Sequence, residues 1–92
     1  MTSGKIETRI VNALRASAPL RAWPDEVRAT ATGVAYYLHG HLVASKTYGK
    51  PLEPYAPTFR AWPTATTASR LHALGFDATI RKGVPHLDGV PL

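Results

Sequence analysis

The segment with the richest chemistry is the predicted start of the second helix, where hydroxyl and guanidinium groups lie close together in the sequence. Thr64, Thr66 and Thr67 supply hydroxyl groups, and Arg60 and Arg70 flank them with positive charge. The amino end of a helix presents unpaired N–H groups and the positive end of the helix dipole, so this combination is typical of an anion-binding site. The simpler interpretation is that Thr64 caps the helix, Thr66 and Thr67 face solvent, and the arginines only add solubility.

Positive charge is concentrated in the second half of the chain. The 92 residues carry 11 Lys and Arg against 6 Asp and Glu, which gives a net charge of +5 at pH 7. Between positions 40 and 82, Glu53 and Asp77 are outnumbered by basic residues: Lys46, Lys50, Arg60, Arg70, Arg81 and Lys82. A cationic field attracts nucleic acid and other anions, although a charge of this size is also ordinary for a small soluble domain. We predict that Arg81 and Lys82, at a hairpin tip, join the helix start in binding the ligand.

Aromatic side chains lie between these basic residues and offer a second kind of contact. Tyr48, Tyr55, Phe59 and Trp62 would stack on unpaired bases if they were exposed, as in proteins that bind single strands. We expect Phe59 and Trp62 to lie in the core, which leaves the two tyrosines as the better candidates for a contact surface. Tyr, Trp and Arg are also common in protein interfaces, so the sequence leaves both a nucleic acid and a protein partner open.

Both tryptophans belong to a repeated tetrapeptide. Arg-Ala-Trp-Pro occurs at residues 21–24 and again at residues 60–63, but the flanking sequences do not match as those of a structural repeat would. We interpret Trp23 and Trp62 as anchors at the entries of two helical turns, each followed by a proline where a missing N–H costs little.

Metal binding and catalysis find little support in the sequence. His39 and His41 are spaced to lie on one face of a strand, but a tight turn already accounts for His39, and no carboxylate cluster lies nearby. The chain contains no cysteine, which excludes disulfides and thiolate metal sites. The serines and scattered carboxylates form no recognisable nucleophile or acid–base pair. We therefore expect a protein that is not an enzyme and that uses no metal or cofactor.

The first element that must position these groups is a helix over residues 4–16, capped by Thr2 or Ser3. Its predicted apolar face consists of Ile6, Ile10, Val11, Ala13 and Leu14. Glu7 belongs to its predicted polar face. A single helical turn is expected over residues 24–26, because proline followed by acidic residues favours a helix start.

A β-hairpin is predicted next. Residues 28–38 and 41–47 are rich in β-branched and aromatic side chains, and His39 and Gly40 between them tolerate the positive φ of a tight turn. This turn predicts two cross-strand pairs, Tyr37 with Leu42 and Tyr36 with Val43.

The second helix is the best-delimited element of the chain. A proline-rich loop over residues 48–57 and a short strand over residues 58–62 are expected to precede it. The helix itself is predicted over residues 64–74, ending at Gly75 with Phe76 as the apolar partner of the terminating motif.

The chain should end in a second hairpin, with strands over residues 78–81 and 84–87. Pro85 lacks an N–H group, which predicts an edge position for the last strand. The order of elements predicts an α+β fold, with a mostly antiparallel sheet of about four to five short strands and two helices on one face. The length predicts one small domain over residues 1–92.

From Leu38 onward, the chain resembles a group of small uncharacterised bacteriophage accessory proteins. The resemblance is carried by the hairpin His39-Gly40-His41-Leu42-Val43-Ala44, the helix entry Trp62-Pro63-Thr64-Ala65-Thr66-Thr67 with Ser69-Arg70-Leu71, and the ending from Ile80-Arg81-Lys82-Gly83 to Leu87-Asp88-Gly89. It covers residues 38–89 and implies a non-enzymatic protein expressed inside a bacterial host, with no assigned activity or site.

These observations favour a phage-type binding protein that contacts a polyanion, either nucleic acid or a nucleotide-like ligand, through its basic C-terminal half. The alternative is an inhibitor of a host enzyme or defence complex, such as an anti-CRISPR protein, which acts by protein–protein interaction. A third interpretation is that the protein is a structural component of a virion. The sequence has neither an apolar run long enough to span a membrane nor a signal-peptide pattern, so we expect the host cytoplasm and no membrane partner.

Overall fold

The computed structural model describes residues 4–92, with side chains from Ile6 onward, and these residues form three helices and eight strands. The first helix, α1, spans Gly4–Ala16, as predicted. Thr2 and Ser3, the predicted caps, lie outside the described residues.

The helix α1 buries its predicted apolar face, including Ile10 and Leu14, against the rest of the molecule. The placement of Glu7 on the polar face is wrong, because this residue is also buried. Its carboxylate accepts hydrogen bonds from the side chains of Ser69 and Arg70. Hydrogen-bond partners on another helix thus make burial of the carboxylate possible, and the sequence of α1 alone does not reveal them.

Five antiparallel strands form the main sheet in the order β1-β2-β3-β4-β5. They span Leu20–Ala22 (β1), Asp25–Ala29 (β2), Gly33–Leu38 (β3), His41–Thr47 (β4) and Glu53–Pro54 (β5). The central strand β3 is buried along nearly its whole length. This agrees with its apolar composition on both faces.

The predicted helical turn at residues 24–26 is wrong. Trp23 and Pro24 form the turn that joins β1 to β2, and Asp25 and Glu26 belong to β2, where they pair with β3. Asp25 is buried and Glu26 is partly exposed, which is the alternation of a strand. The two acidic residues face opposite sides of the sheet, whereas the prediction treated them as one charged helix start.

The predicted strand over residues 28–38 is divided into β2 and β3 by a tight connection. The N–H of Thr30 donates to the carbonyl of Gly33 at 2.8 Å. Gly33 begins β3 so close to β4 that a Cβ atom there would lie 1.8 Å from the carbonyl oxygen of Lys46. Glycine is therefore required for the close approach of the two backbones.

The hairpin between β3 and β4 turns at His39 and Gly40, as predicted, with φ angles of 52° and 80°. Tyr37 lies opposite Leu42, also as predicted. The predicted pairing of Tyr36 with Val43 is wrong, because a bulge shifts the register and places Tyr36 opposite Ala44. The bulge lets Val43 and Ala44 both be buried.

The segment before the main C-terminal helix is also helical. The helix α2 spans Ala56–Ala61, where a strand over residues 58–62 was predicted. Pro57 lies in the first turn of α2, where a proline needs no hydrogen-bond donor, and Phe59 packs into the core. The short run between Pro57 and Pro63 is compatible with an amphipathic helix as well as with a strand. The packing of Phe59 into the core favours the helix.

The helix α3 spans Ala65–Ala73 and is capped at both ends as predicted. Thr64 is its N-cap. At the other end the N–H of Gly75 donates to the carbonyl of His72, and the N–H of Phe76 donates to that of Leu71, both at 3.0 Å. Gly75 has φ of 100°, which closes the left-handed terminating motif.

A second antiparallel sheet completes the chain. It is formed by Ala78–Arg81 (β6), Val84–Leu87 (β7) and Val90–Pro91 (β8), in the order β6-β7-β8. The edge position predicted from Pro85 is wrong, because β7 is the middle strand. The carbonyl of Pro85 accepts a hydrogen bond from the N–H of Leu92 at 3.0 Å, so the backbone polar atoms of Pro85 face β8. The proline nitrogen, which has no hydrogen to donate, therefore lies on the β8 side of β7, at the end of the ladder between these two strands. The bonds to β6 are therefore not interrupted.

The core lies between the helices, one face of the main sheet and the second sheet. Its main members are Ile10, Leu14, Val27, Val34, Tyr36, Val43, Phe59, Leu71 and Leu87. The α+β class with a mainly antiparallel sheet is confirmed. Within residues 4–92, no helix has the length and apolar character needed to span a membrane.

Candidate functional site

Arg70, one of the predicted ligand-binding residues, is engaged by two carboxylates. Its Nε donates to Oδ1 of Asp25 at 2.9 Å, its Nη2 to Oδ2 of Asp25 at 3.3 Å, and its Nη1 to Oε2 of Glu7 at 3.1 Å. Burial alone lowers the pKa of the guanidinium, but the hydrogen bonds to Asp25 and Glu7 outweigh it and raise that pKa above its ordinary value. With 16% of its side chain exposed, Arg70 is a structural cation and is not available to a ligand.

Asp25 is the centre of this buried network. It is 2% exposed and accepts from Arg70 and from the hydroxyl of Tyr36. Burial, and then the hydrogen bond to Asp25, raise the pKa of the Tyr36 hydroxyl above its ordinary value. Because its partners are α3 and the central strand, the network fixes α3 on the sheet.

The three threonines at the start of α3 have different environments. The hydroxyl of Thr64 accepts from the N–H of Thr67 at 3.2 Å and lies 3.0 Å from the hydroxyl of Thr67. Thr67 is buried, whereas Thr66 is exposed. Thr64 and Thr67 thus meet each other's hydrogen-bonding requirements within the helix cap. Thr64 and Thr66 are both exposed at the helix start, and Thr66 lies outside this pair of hydroxyl groups.

The other predicted cations lie on separate elements. Arg60 is exposed in the last turn of α2, Arg81 is exposed at the end of β6, and Lys82 is exposed in the following turn. The three threonines share a pocket, and no arginine or lysine contributes to its lining. The structure therefore brings the hydroxyl groups together but does not gather the predicted cations around them.

A cationic groove lies elsewhere, between the ends of α1, α3 and β4. Arg15, Lys46 and Lys50 line this basic groove, which encloses roughly 470 Å³. Its remaining lining is apolar or glycine: Val11, Leu14, Pro51, Leu52, Ala73, Leu74 and Gly75. No carboxylate is among these described lining residues, so the groove carries positive charge over an apolar floor.

The basic groove continues along the surface between α1 and α3. A second groove of roughly 630 Å³ shares Val11, Arg15 and Ala73 with it and adds polar side chains that include Asn12, His72 and Glu7, whose carboxylate is paired with Arg70. Sequence reasoning counted Lys46 and Lys50 in the basic half of the chain but did not connect them with Arg15. The position of Arg15 in the last turn of the amphipathic α1 was the available signal.

Four ring side chains meet at the opposite end of β4, and we call them the aromatic end: Trp23, His39, His41 and Trp62. Trp23 and His39 are in edge contact with centroids 5.9 Å apart, and His41 and Trp62 stack with centroids 4.0 Å apart. Trp23 is 74% exposed and Trp62 is 48% exposed. The expectation that Trp62 lies in the core is therefore wrong. The interpretation of Trp23 as an anchor at a helical turn is also wrong, because Trp23 and Pro24 form a turn between two strands. Phe59 is buried and the tyrosines Tyr48 and Tyr55 are exposed, as expected.

The aromatic end also accounts for the two histidines that were considered as a metal pair. His39 contacts Trp23 and His41 contacts Trp62, each through its ring. In the described part of the chain, no group of three or more His, Cys, Asp or Glu side chains is arranged to hold a metal ion.

In comparisons with known proteins, the chain matches no protein-family model, no curated protein and no solved structure.

Proposed function

We propose that this chain is a non-enzymatic protein that binds a nucleic acid through the basic groove. The observation that carries the proposal is the convergence of Arg15, Lys46 and Lys50 on one groove whose lining contains no carboxylate. Lysine and arginine side chains that neutralise phosphates supply most of the affinity in sequence-independent nucleic-acid binding. The apolar floor would contact the less polar parts of the bound strand.

Ion pairs between carboxylates and arginines outside the basic groove support this proposal. Glu7 and Asp25 are paired with Arg70. Glu26 is paired with Arg28 at 3.0 Å and lies 4.0 Å from Arg21. The hydrogen bond from Arg28 lowers the pKa of the Glu26 carboxyl, so it remains ionised in that pair. Half of the acidic residues therefore neutralise arginines outside the basic groove and do not offset its charge.

Seven cations remain without an ion pair to any residue that the structure describes from position 6 onward. They are Arg9, Arg15, Lys46, Lys50, Arg60, Arg81 and Lys82. These side chains give the surface a positive field that would steer an anionic strand toward it. In this proposal Arg60, Arg81 and Lys82 contribute to that field, while the basic groove makes the phosphate contacts.

One groove cation, Arg15, also lies at a helix end, which allows a purely structural role. Arg15 is in the last turn of α1, where a positive charge stabilises the helix dipole. Lys46 lies on β4, and Lys50 lies beyond the end of that strand. A structural role predicts a loss of thermal stability when all three charges are removed. A binding role predicts a loss of affinity with stability nearly unchanged.

The test is a fluorescence anisotropy titration with a labelled oligothymidylate of about ten nucleotides, within the site size of small single-strand binding folds. The triple variant R15Q/K46Q/K50Q should bind at least about ten-fold more weakly. Its plot of log affinity against log salt should be shallower by about 2, because each single-strand phosphate contact contributes about 0.7.

The matched control is R9Q/R81Q/K82Q, which removes three exposed cations that do not line the basic groove. We expect a much smaller loss from this variant. Equal losses in the two variants would mean that only the net charge matters and would contradict the groove. Absence of binding by the unaltered protein at low salt would overturn the proposed function itself.

A second candidate function, inhibition of a host enzyme or defence complex, is favoured by the free edge of the main sheet. The strand β1 lies at that edge and pairs only with β2 among the described strands. A partner strand could extend the sheet there. One stoichiometric protein partner that survives nuclease treatment in a pull-down would favour this function. A phage origin and a location in the host cytoplasm remain predictions for both functions.

A further inference from the structure

We propose that the pocket beside Trp62 binds an unpaired nucleobase, so that the preferred nucleic acid is a single strand. This inference rests on the proposed function and specifies the class of ligand. The pocket, which we call the ring pocket, has an apolar floor formed by Leu38 and Val43. Trp62, His39 and the exposed residue Thr66 also line it.

The size of the ring pocket fits one planar ring system. It encloses roughly 230 Å³. A cavity of about 150 Å³ accommodates benzene, and pockets for drug-sized ligands begin at about 300 Å³. A heteroaromatic base lies between these limits. The sugar and phosphate of the bound nucleotide would remain outside the ring pocket, where they connect to the neighbouring nucleotides of the strand.

The chemistry of the lining fits a base better than a charged or purely apolar group. The described lining residues include no Lys, Arg, Asp or Glu side chain, so nothing there pairs with a phosphate or an ammonium group. The exposed Thr66 hydroxyl both donates and accepts hydrogen bonds, and a histidine ring nitrogen does one or the other. Base edges present the complementary donors and acceptors around an apolar ring face.

The aromatic end holds its rings in place before any ligand binds. Trp62 stacks on His41 with an interplanar angle of 30°, which restricts the rotation of its indole. Trp23 contacts His39, which itself lines the ring pocket. A second base next to the bound one would therefore find the exposed indole of Trp23 nearby. Rings that are already ordered lose little side-chain entropy on stacking.

The proposal offers a functional explanation for the two copies of the Arg-Ala-Trp-Pro tetrapeptide. In each copy an exposed arginine, Arg21 or Arg60, precedes an exposed tryptophan by two positions. Each copy therefore supplies an exposed ring for a base. The second copy also supplies a cation for a phosphate, because Arg60 has no ion pair to any residue described from position 6 onward, whereas Arg21 lies 4.0 Å from Glu26. The copies lie on unrelated elements, the turn between β1 and β2 and the end of α2, which explains why their flanks do not match.

A duplex would not satisfy the ring pocket, because the faces of paired bases are covered by their neighbours and must be unstacked first. The test compares the labelled oligothymidylate with a duplex and with an abasic strand of the same length and charge. The unaltered protein should prefer the oligothymidylate over both. W62A should bind the oligothymidylate about ten-fold or more weakly, as expected for the loss of one base–aromatic stack, and should bind the abasic strand as before.

W62F should recover much of the affinity, since phenylalanine also stacks on bases. V90A is the control, because Val90 is an exposed hydrophobic residue of the second sheet that lines neither the ring pocket nor the basic groove. It should leave the affinity for the oligothymidylate unchanged. Circular dichroism should show W62A folded, as expected for removal of a half-exposed side chain.

The outcomes separate this inference from the proposed function. If W62A and the abasic strand leave affinity unchanged while R15Q/K46Q/K50Q reduces it, the ring pocket is wrong and the groove stands. If the unaltered protein binds none of the three nucleic acids, the proposed function fails first. If W62A abolishes capture of a defined protein partner but does not affect nucleic-acid binding, the aromatic end belongs to a protein interface and the nucleobase proposal is overturned.

Discussion

Arg70 on α3 and Asp25 on β2 form a hydrogen-bonded ion pair across the core, with Nε of the arginine 2.9 Å from Oδ1 of the aspartate. The two residues are separated by 45 positions in the chain. Glu7 of α1 binds the same guanidinium, so one side chain connects both long helices to the sheet. The positions of the ring pocket and the basic groove, which these elements line, depend on this connection.

Removing the guanidinium should therefore be strongly destabilising. R70L leaves Asp25 buried without its cation, and breaking a buried pair in this way typically costs about 3–5 kcal/mol of the free energy of unfolding. Urea denaturation of the variant would measure the loss. R60L is the control, because Arg60 is exposed, and its effect should stay within about 0.5 kcal/mol. A loss below about 1 kcal/mol in R70L would contradict a structural role for Arg70.

Tyr36 should make stability fall at alkaline pH. Its pKa in the folded protein is raised above the ordinary tyrosine value, by burial and by its hydrogen bond to Asp25. The stabilising contribution is therefore complete below the unfolded pKa of about 10 and is lost as the pH rises above that value. Urea midpoints measured from about pH 8 to about pH 11 should decrease in the unaltered protein.

The variant Y36F provides the comparison for this pH dependence. It should be less stable at neutral pH, because Asp25 loses a hydrogen-bond donor, and its alkaline decline should be shallower. Parallel pH profiles for the two proteins would mean that other groups cause the decline.

Gly33 should not tolerate a side chain. A Cβ atom there would lie 1.8 Å from the carbonyl oxygen of Lys46, and that oxygen belongs to the backbone of β4. G33A should therefore shift β4 and destabilise the protein by about 1–3 kcal/mol or more. A29S, at an exposed position of β2, should change stability by less than about 0.5 kcal/mol. Similar melting temperatures for the two variants would contradict the close approach of β3 and β4.

Local signals in the sequence were sufficient where neighbouring residues decide the structure. The turn at His39 and Gly40 and the end of α3 at Gly75 depend on backbone conformations that a few residue types favour. The predictions failed where distant partners decide. Glu7 is buried because Arg70 and Ser69 reach it from α3.

The same reason explains what could be predicted of the candidate site. The excess of basic residues was evident from composition, but Arg70 was counted as available because its carboxylate partners lie far away in the sequence. Arg15 and Lys50 are both exposed, and only the tertiary arrangement of α1, β4 and the segment after β4 brings them to one groove. Trp62 is half exposed and stacks on His41, a contact that sequence spacing does not indicate.

Thr64 provides a last test, which separates a helix cap from a ligand contact. Its hydroxyl accepts from the N–H of Thr67 at 3.2 Å, so T64A should cost about 1 kcal/mol of stability and T64S should restore most of it. T66A, which changes the exposed second residue of α3, should leave the melting temperature nearly unchanged. Because Thr66 lines the ring pocket, T66A should weaken binding of the oligothymidylate without this loss of stability. A stable T64A variant would show that the helix start does not need its cap.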